Sequence, residues 1–224
     1  MNERYTRNIP AISVQEQAIL HKKKVLVAGC GGLGGNIIEN LLRLGIGEIT
    51  AVDGDSFQSS NLNRQLLSSE TAIGTSKAVA AQMRAAQVNS GIVLHAKEVY
   101  LDENNADELL KGQDLVIDAL DNIHSRLILE DACAKAGIPL IHGAICGWQA
   151  QISTVLPGSN ILHELYAGCP EATDKSTLAF TPALCAAVQV SEALKLLCGH
   201  SGDLENKLAV IDLRYMDWNI ISLR

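Results

Sequence analysis

Residues 25–34 read Val-Leu-Val-Ala-Gly-Cys-Gly-Gly-Leu-Gly. An apolar strand runs straight into Gly29-x-Gly31-Gly32-x-Gly34, and an apolar-periodic segment follows over residues 32–44, closed by Gly45. Glycines in that position let the backbone approach phosphate oxygens, and the helix behind them turns its unpaired N–H groups toward an anion. Asp53 ends the next strand, nineteen residues after Gly34. An acid at that distance suits a ribose hydroxyl. The stretch therefore predicts a nucleotide site at the carboxyl end of a parallel sheet.

Two further stretches narrow the nucleotide. Residues 60–65 are Ser-Asn-Leu-Asn-Arg-Gln, and residues 74–77 are Gly-Thr-Ser-Lys. Arg64 offers a planar fork of donors matched to phosphate oxygens. Lys77 is a point charge that can follow a moving phosphate. The pyrophosphate of NAD is already held by a helix N-terminus and needs no such concentration of charge. Asp53 does not discriminate, since it can orient the ribose of NAD or of ATP. Asp121 follows a buried strand within Ile117-Asp118-Ala119-Leu120-Asp121-Asn122. A carboxylate there can hold Mg²⁺ together with waters and substrate phosphates. Asp121 or Asn122 can equally cap the following helix. Asp118 is the weaker metal candidate.

The chain has 224 residues, 47% of them apolar, and a net charge of −7. That charge argues against nucleic acid as the main partner. Apolar runs are too short for a membrane span, and the opening Met-Asn-Glu-Arg-Tyr is unlike a signal peptide. Six cysteines, at 30, 133, 146, 169, 185 and 198, form no Cys-x-x-Cys pair. They read as reduced, mostly buried thiols of a cytoplasmic protein. The histidines show no metal-ligand or triad spacing, and His142 reads as a satisfied core residue.

The pattern predicts a helical arm over 1–24, a nucleotide-binding core over 25–145, and an extension over 146–224 within a single domain. The core alternates strand and helix: strands over 25–29, 48–53, 92–99, 115–120 and 139–144, helices over 32–44, 75–88, 104–111 and 124–136. This is the signature of an α/β fold, a Rossmann-like, mainly parallel sheet with helices on both faces. The extension predicts a strand over 151–156, a long loop over 157–181, an apolar helix over 182–198 and an antiparallel hairpin from 207 to 223.

These motifs carry a family resemblance. Arg4-Tyr5-Thr6-Arg7, Gly29–Gly35, Asp53-Gly54-Asp55, the Ser60–Gln65 segment, Gly74–Lys77 and Asp121-Asn122 resemble the ThiF/MoeB/HesA family, relatives of the adenylating half of ubiquitin-activating enzymes. The resemblance implies that the C-terminal glycine of a ubiquitin-fold sulfur-carrier protein, ending Gly-Gly, is adenylated with ATP and Mg²⁺. It implies Asp53 on the ribose, with Asp55 beside it, and Asn61, Arg64 and Lys77 on the phosphates. It further implies Asp121 on Mg²⁺, and Arg7 reaching in from the second subunit of a homodimer.

Two features depart from the family. The paired cysteines that hold zinc in many members are absent, so no structural zinc is expected. Some members use a loop cysteine covalently; Cys169 is the candidate here, without clear alignment, while Cys146 could border the site but reads more simply as core. Rival readings are an NAD-dependent oxidoreductase, a non-catalytic scaffold, and an adenylating enzyme for a small molecule or tRNA base.

Overall fold

The computed structural model describes residues 2–171, 173–174 and 176–223. Its eight strands are β1 (Lys24–Ala28), β2 (Glu48–Val52), β3 (Val93–Lys97), β4 (Leu115–Asp118), β5 (Leu140–Cys146), β6 (Gln149–Val155), β7 (Lys207–Asp212) and β8 (Asp217–Ser222). They form one sheet in the order β3-β2-β1-β4-β5-β6-β7-β8. The first five strands in that order run parallel and the last three antiparallel. Ala28 pairs with both Val52 and Asp118, so the carboxyl ends of β1, β2 and β4 lie level. The chain winds outward one way through β2 and β3, then returns to the other side of β1 with β4. The crevice at that reversal is where open α/β sheets bind ligands.

Why these residues make strands follows from burial. Val25 through Ala28 are fully buried. A central parallel strand is covered on both faces, so it reads as a continuous apolar run. Val25 and Val27 join one core with α2 (Gly32–Leu44) and α7 (Phe180–Leu197); Leu26 and Ala28 join the other with α5 (Ile123–Ala136). The remaining helices are α1 (Val14–Leu20), α3 (Lys77–Val88), α4 (Ala106–Leu110) and α6 (Ile161–Leu165). Helix α2 is amphipathic, burying Ile37, Ile38, Leu41 and Leu42, and it stops at Gly45, whose φ of +84° is the left-handed cap conformation.

Three expectations need adjustment. The arm is not one helix: a 3-10 turn over Glu3–Asn8 and α1 flank Pro10. The long loop after β6 contains α6, whose first N–H groups are held by the buried Glu130 carboxylate, at 2.9 Å from Leu162 N and 3.0 Å from His163 N. Five residues are too few for a periodic signal. Helix α7 begins at Phe180, so Pro182 still lies in the first turn, and its buried side is one face, including Cys185, Ala186, Gln189, Val190 and Ala193.

Of all the glycines, Gly34 in the turn has the least room for a side chain. A Cβ on Gly34 would lie 1.8 Å from Gly29 O, an impossible overlap with rigid backbone. Gly34→Ala should therefore lower stability by at least about 2 kcal/mol. Urea denaturation should show a lower midpoint with an unchanged slope.

Candidate functional site

A cavity of about 570 Å³ opens at the carboxyl ends of the parallel strands. The turn supplies Gly29, Gly31 and Gly32 to its wall, and Gly29 needs its φ of +97° to make the bend. Gly31 is the N-cap of α2 and offers no side-chain cap. The first N–H groups of a 13-residue helix are thus left to the cavity, and their dipole favours an anion. Gly34 does not line the cavity; it serves by letting α2 pack on the turn.

Asp53 sits beside the turn. Its Oδ2 accepts from the Cys30 N–H at 2.7 Å and its Oδ1 from the Asp55 N–H at 2.8 Å. Burial raises its pKa above the usual carboxylate value, opposed by those two N–H donors and by Lys77. Lys77, the first residue of α3, is buried and pairs with Asp55 Oδ2 at 2.8 Å. The Lys77 ammonium, then the Tyr100 hydroxyl, hold the Asp55 carboxyl below its usual range. Arg64 lines the cavity with its Nη1 on Ser60 O at 2.8 Å and Asn63 Oδ1 at 3.0 Å. Asn61 is not a lining residue: its Oδ1 accepts from the Gln58 N–H at 2.9 Å and shapes the turn that presents Arg64.

On the other side of the crevice, Asn122 caps α5, its Oδ1 accepting from the Ser125 N–H at 2.8 Å. Asp121 is therefore spared the capping role and lies exposed on the cavity wall. The α5 N-terminus also receives Glu171, whose Oε1 accepts from the Ile123 N–H at 2.8 Å and the His124 N–H at 3.2 Å. Cys169 lines the cavity and is exposed. Cys146 is too, which corrects its reading as a core thiol.

Behind this wall lies a buried polar chain: His142 is the satisfied core residue expected, but the partners that satisfy it carry no sequence signal. Asp118 and His142 are fully buried, with His142 Nδ1 at 2.7 Å from Asp118 Oδ2. Tyr166 Oη lies 3.1 Å from His142 Nε2 and accepts from Gln151 Nε2 at 2.7 Å and Arg126 Nη1 at 3.2 Å. With both lone pairs taken, the phenol donates to His142 Nε2, so the imidazole is neutral with its proton on Nδ1. Burial lowers the His142 pKa and raises that of Tyr166 to about 12, in agreement. The partners are 24 residues apart in each step, Asp118 to His142 to Tyr166, and no local motif links them.

Arg7 lies elsewhere. Tyr5 is buried, its hydroxyl accepting from Asn89 Nδ2 at 2.8 Å and its ring packed on Gly45. That anchors the Glu3–Asn8 turn at the carboxyl ends of α2 and α3, a helix length of roughly 20 Å from the glycine turn. Arg7 is exposed there, outside its own chain's cavity.

A family model described as the ThiF family matches residues 5–224. The chain belongs to the ThiF family. Among its relatives, the SAMP-activating enzyme E1 of Haloferax volcanii is 32% identical over 99% of this chain and 85% of that protein. The sulfur carrier protein adenylyltransferase of Thermus thermophilus is 30% identical over 99% of this chain and 87% of its own length. Xenopus laevis adenylyltransferase and sulfurtransferase MOCS3 is 30% identical, and the chain spans 48% of it. The crystal structure of E. coli MccB with ATP superposes with a TM-score of 0.88 at 23% identity, covering 100% of this chain and 71% of that one. At that identity the likeness speaks for the fold.

The buried chain makes a pH prediction. The unfolded imidazole takes a proton below about pH 6.5 while folded His142 stays neutral, so its contribution is full above that pH and falls as pH drops toward the depressed folded value. Denaturation at pH 7.5 and 5.5 should show a loss bounded by about 1.4 kcal/mol per pH unit for this group. His142→Gln should lose less over the same interval; equal losses would exclude His142 as the source.

Proposed function

We propose that the protein adenylates the C-terminal glycine of a ubiquitin-fold sulfur-carrier protein ending Gly-Gly, using ATP. The observation that carries this reading is the convergence of Asp53, Lys77, Arg64 and Asp121 on one cavity beside an uncapped helix N-terminus. Family membership and the named activities of the relatives favour the same chemistry over NAD-dependent oxidation. The carrier carboxylate attacks the α-phosphorus, the bond to the bridging oxygen breaks, and pyrophosphate leaves. The nucleophile is already ionised and needs no general base. Catalysis then reduces to placing the carboxylate in line and stabilising charge on the phosphates. The α2 N–H groups, Arg64 and Lys77 do this, while Asp53 holds the ribose. Lys77 leaves Asp55 for the phosphates as they arrive.

Asp121 fits a magnesium ligand, because a single exposed carboxylate plus phosphate and water oxygens suits that ion. Bound there, Mg²⁺ would supply neutralising charge to the departing pyrophosphate. Carrier-dependent pyrophosphate exchange is the test. It should occur with the wild type and fall a hundredfold or more in Asp121→Ala, roughly 3 kcal/mol, while the protein stays folded. A wild type without exchange against every carrier ending Gly-Gly would sink the reading.

Arg7 cannot serve its own cavity, which favours a symmetric homodimer in which it completes the neighbour's site. Mixing Arg7→Ala with Asp121→Ala under subunit exchange should restore activity, since each heterodimer holds one site with neither defect. No recovery despite proven exchange would remove Arg7 from the reaction.

A further inference from the structure

One aromatic side chain on the cavity wall has no part in the chemistry above. Tyr100 is 68% exposed, yet it is tethered at three points. Its hydroxyl donates to Asp55 Oδ1 at 2.6 Å. Its carbonyl accepts from Asn105 Nδ2 at 2.8 Å. Its ring lies on Gly54 so closely that a Cβ there would meet Cγ and Cδ2 at 2.7 Å. One ring face therefore rests on backbone and the ring borders the cavity, a rigid aromatic platform with little rotamer freedom left to lose on binding.

Its place in the sheet says what would use it. The turn and Lys77 lie on the phosphate side of Asp53, and Asp53 takes the ribose. A base carried by that ribose extends away from the phosphates, over the ends of β2 and β3. Tyr100 stands just beyond β3, and the cavity wall there is apolar, made by Val52, Val99 and Leu101. We propose that Tyr100 is the stacking platform for the nucleobase, with Gly54 bare so that the ring can lie down and Asp55 holding it by the hydroxyl. The assignment rests on the ATP reading above. Because Asp55 holds Tyr100 with one oxygen and Lys77 with the other, a single carboxylate braces the base and phosphate ends of the site. Stacking reads a flat face rather than an edge pattern, so Tyr100 supplies affinity and not choice of base.

Calorimetry with ATP, AMP and inorganic tripolyphosphate on wild type, Tyr100→Ala and Tyr100→Phe tests this. Tyr100→Ala should weaken ATP and AMP about tenfold each, the scale of one base–aromatic stack. Tripolyphosphate should bind it as it binds the wild type, which also reports that the variant is folded. Tyr100→Phe should keep most of the nucleotide affinity. Unchanged ATP and AMP binding by Tyr100→Ala would overturn the assignment. So would tripolyphosphate weakened as much as ATP, which would put Tyr100 in the service of Lys77 through Asp55. A wild type that binds no nucleotide would refute the ATP reading itself, and the platform with it.

Discussion

The approach of Gly34 to the Gly29 carbonyl is the contact on which the site depends. It allows α2 to start hard against the end of β1. From that start, Gly31 and Gly32 reach the cavity and the Cys30 N–H reaches Asp53. A side chain at position 34 would push α2 outward and dissolve all three relations together. The glycine pattern is thus a packing requirement first; anion binding follows from where the packing leaves the N–H groups.

Among the described lining residues of the cavity carboxylates outnumber cations, so the cations are held in pairs before any polyanion arrives. Lys77 is already paired with Asp55, and Arg64 is already bonded to Ser60 and Asn63. A bare buried ammonium would cost several kcal/mol of lost hydration. Paired with Asp55, it is held at little cost, and on the proposed reaction it would exchange one oxygen partner for another. Asp53 and Asp55 differ in the same light. Asp53 is the more buried, and its pKa is raised; Asp55, exposed and doubly bonded, is held low. Neutral hydroxyls suit the first, and a mobile cation suits the second.

What was legible in the sequence followed locality. The glycine turn, Asp53, Lys77 and the strand–helix alternation are set by neighbours within about one βαβ unit of about thirty residues, so periodicity and spacing expose them. The hairpin of β7 and β8 was legible for the same reason. Tyr100, Glu171 and the Asp118–His142–Tyr166 chain were not, because each partner comes from a different element and no spacing rule joins them. Cys146 was misread because its strand is apolar; the strand's last residue runs past the core into the cavity wall. Asn61 shows the converse. Its position in a motif is legible, yet its side chain bonds to its own turn, and only the folded loop shows that it shapes the presentation of Arg64.

The two halves of the cavity are consequently built by different physics. The half beside Asp53 is made of strand ends and helix starts, rigid because the buried sheet fixes them. The opposite half is a loop, and loops need separate restraint. Here that restraint is polar and buried: Glu130 holds the first turn of α6, and Tyr166, just after that helix, is bonded to His142, Gln151 and Arg126. Such bonds are strong where water is excluded. The wall that carries Cys169 is therefore positioned by the protonation of one imidazole two contacts away from it, Cys169 to Tyr166 to His142. A neutral His142 keeps Tyr166 as donor and the wall in place. Protonating it would leave the phenol proton without an acceptor and loosen α6 while the half beside Asp53 stood unchanged.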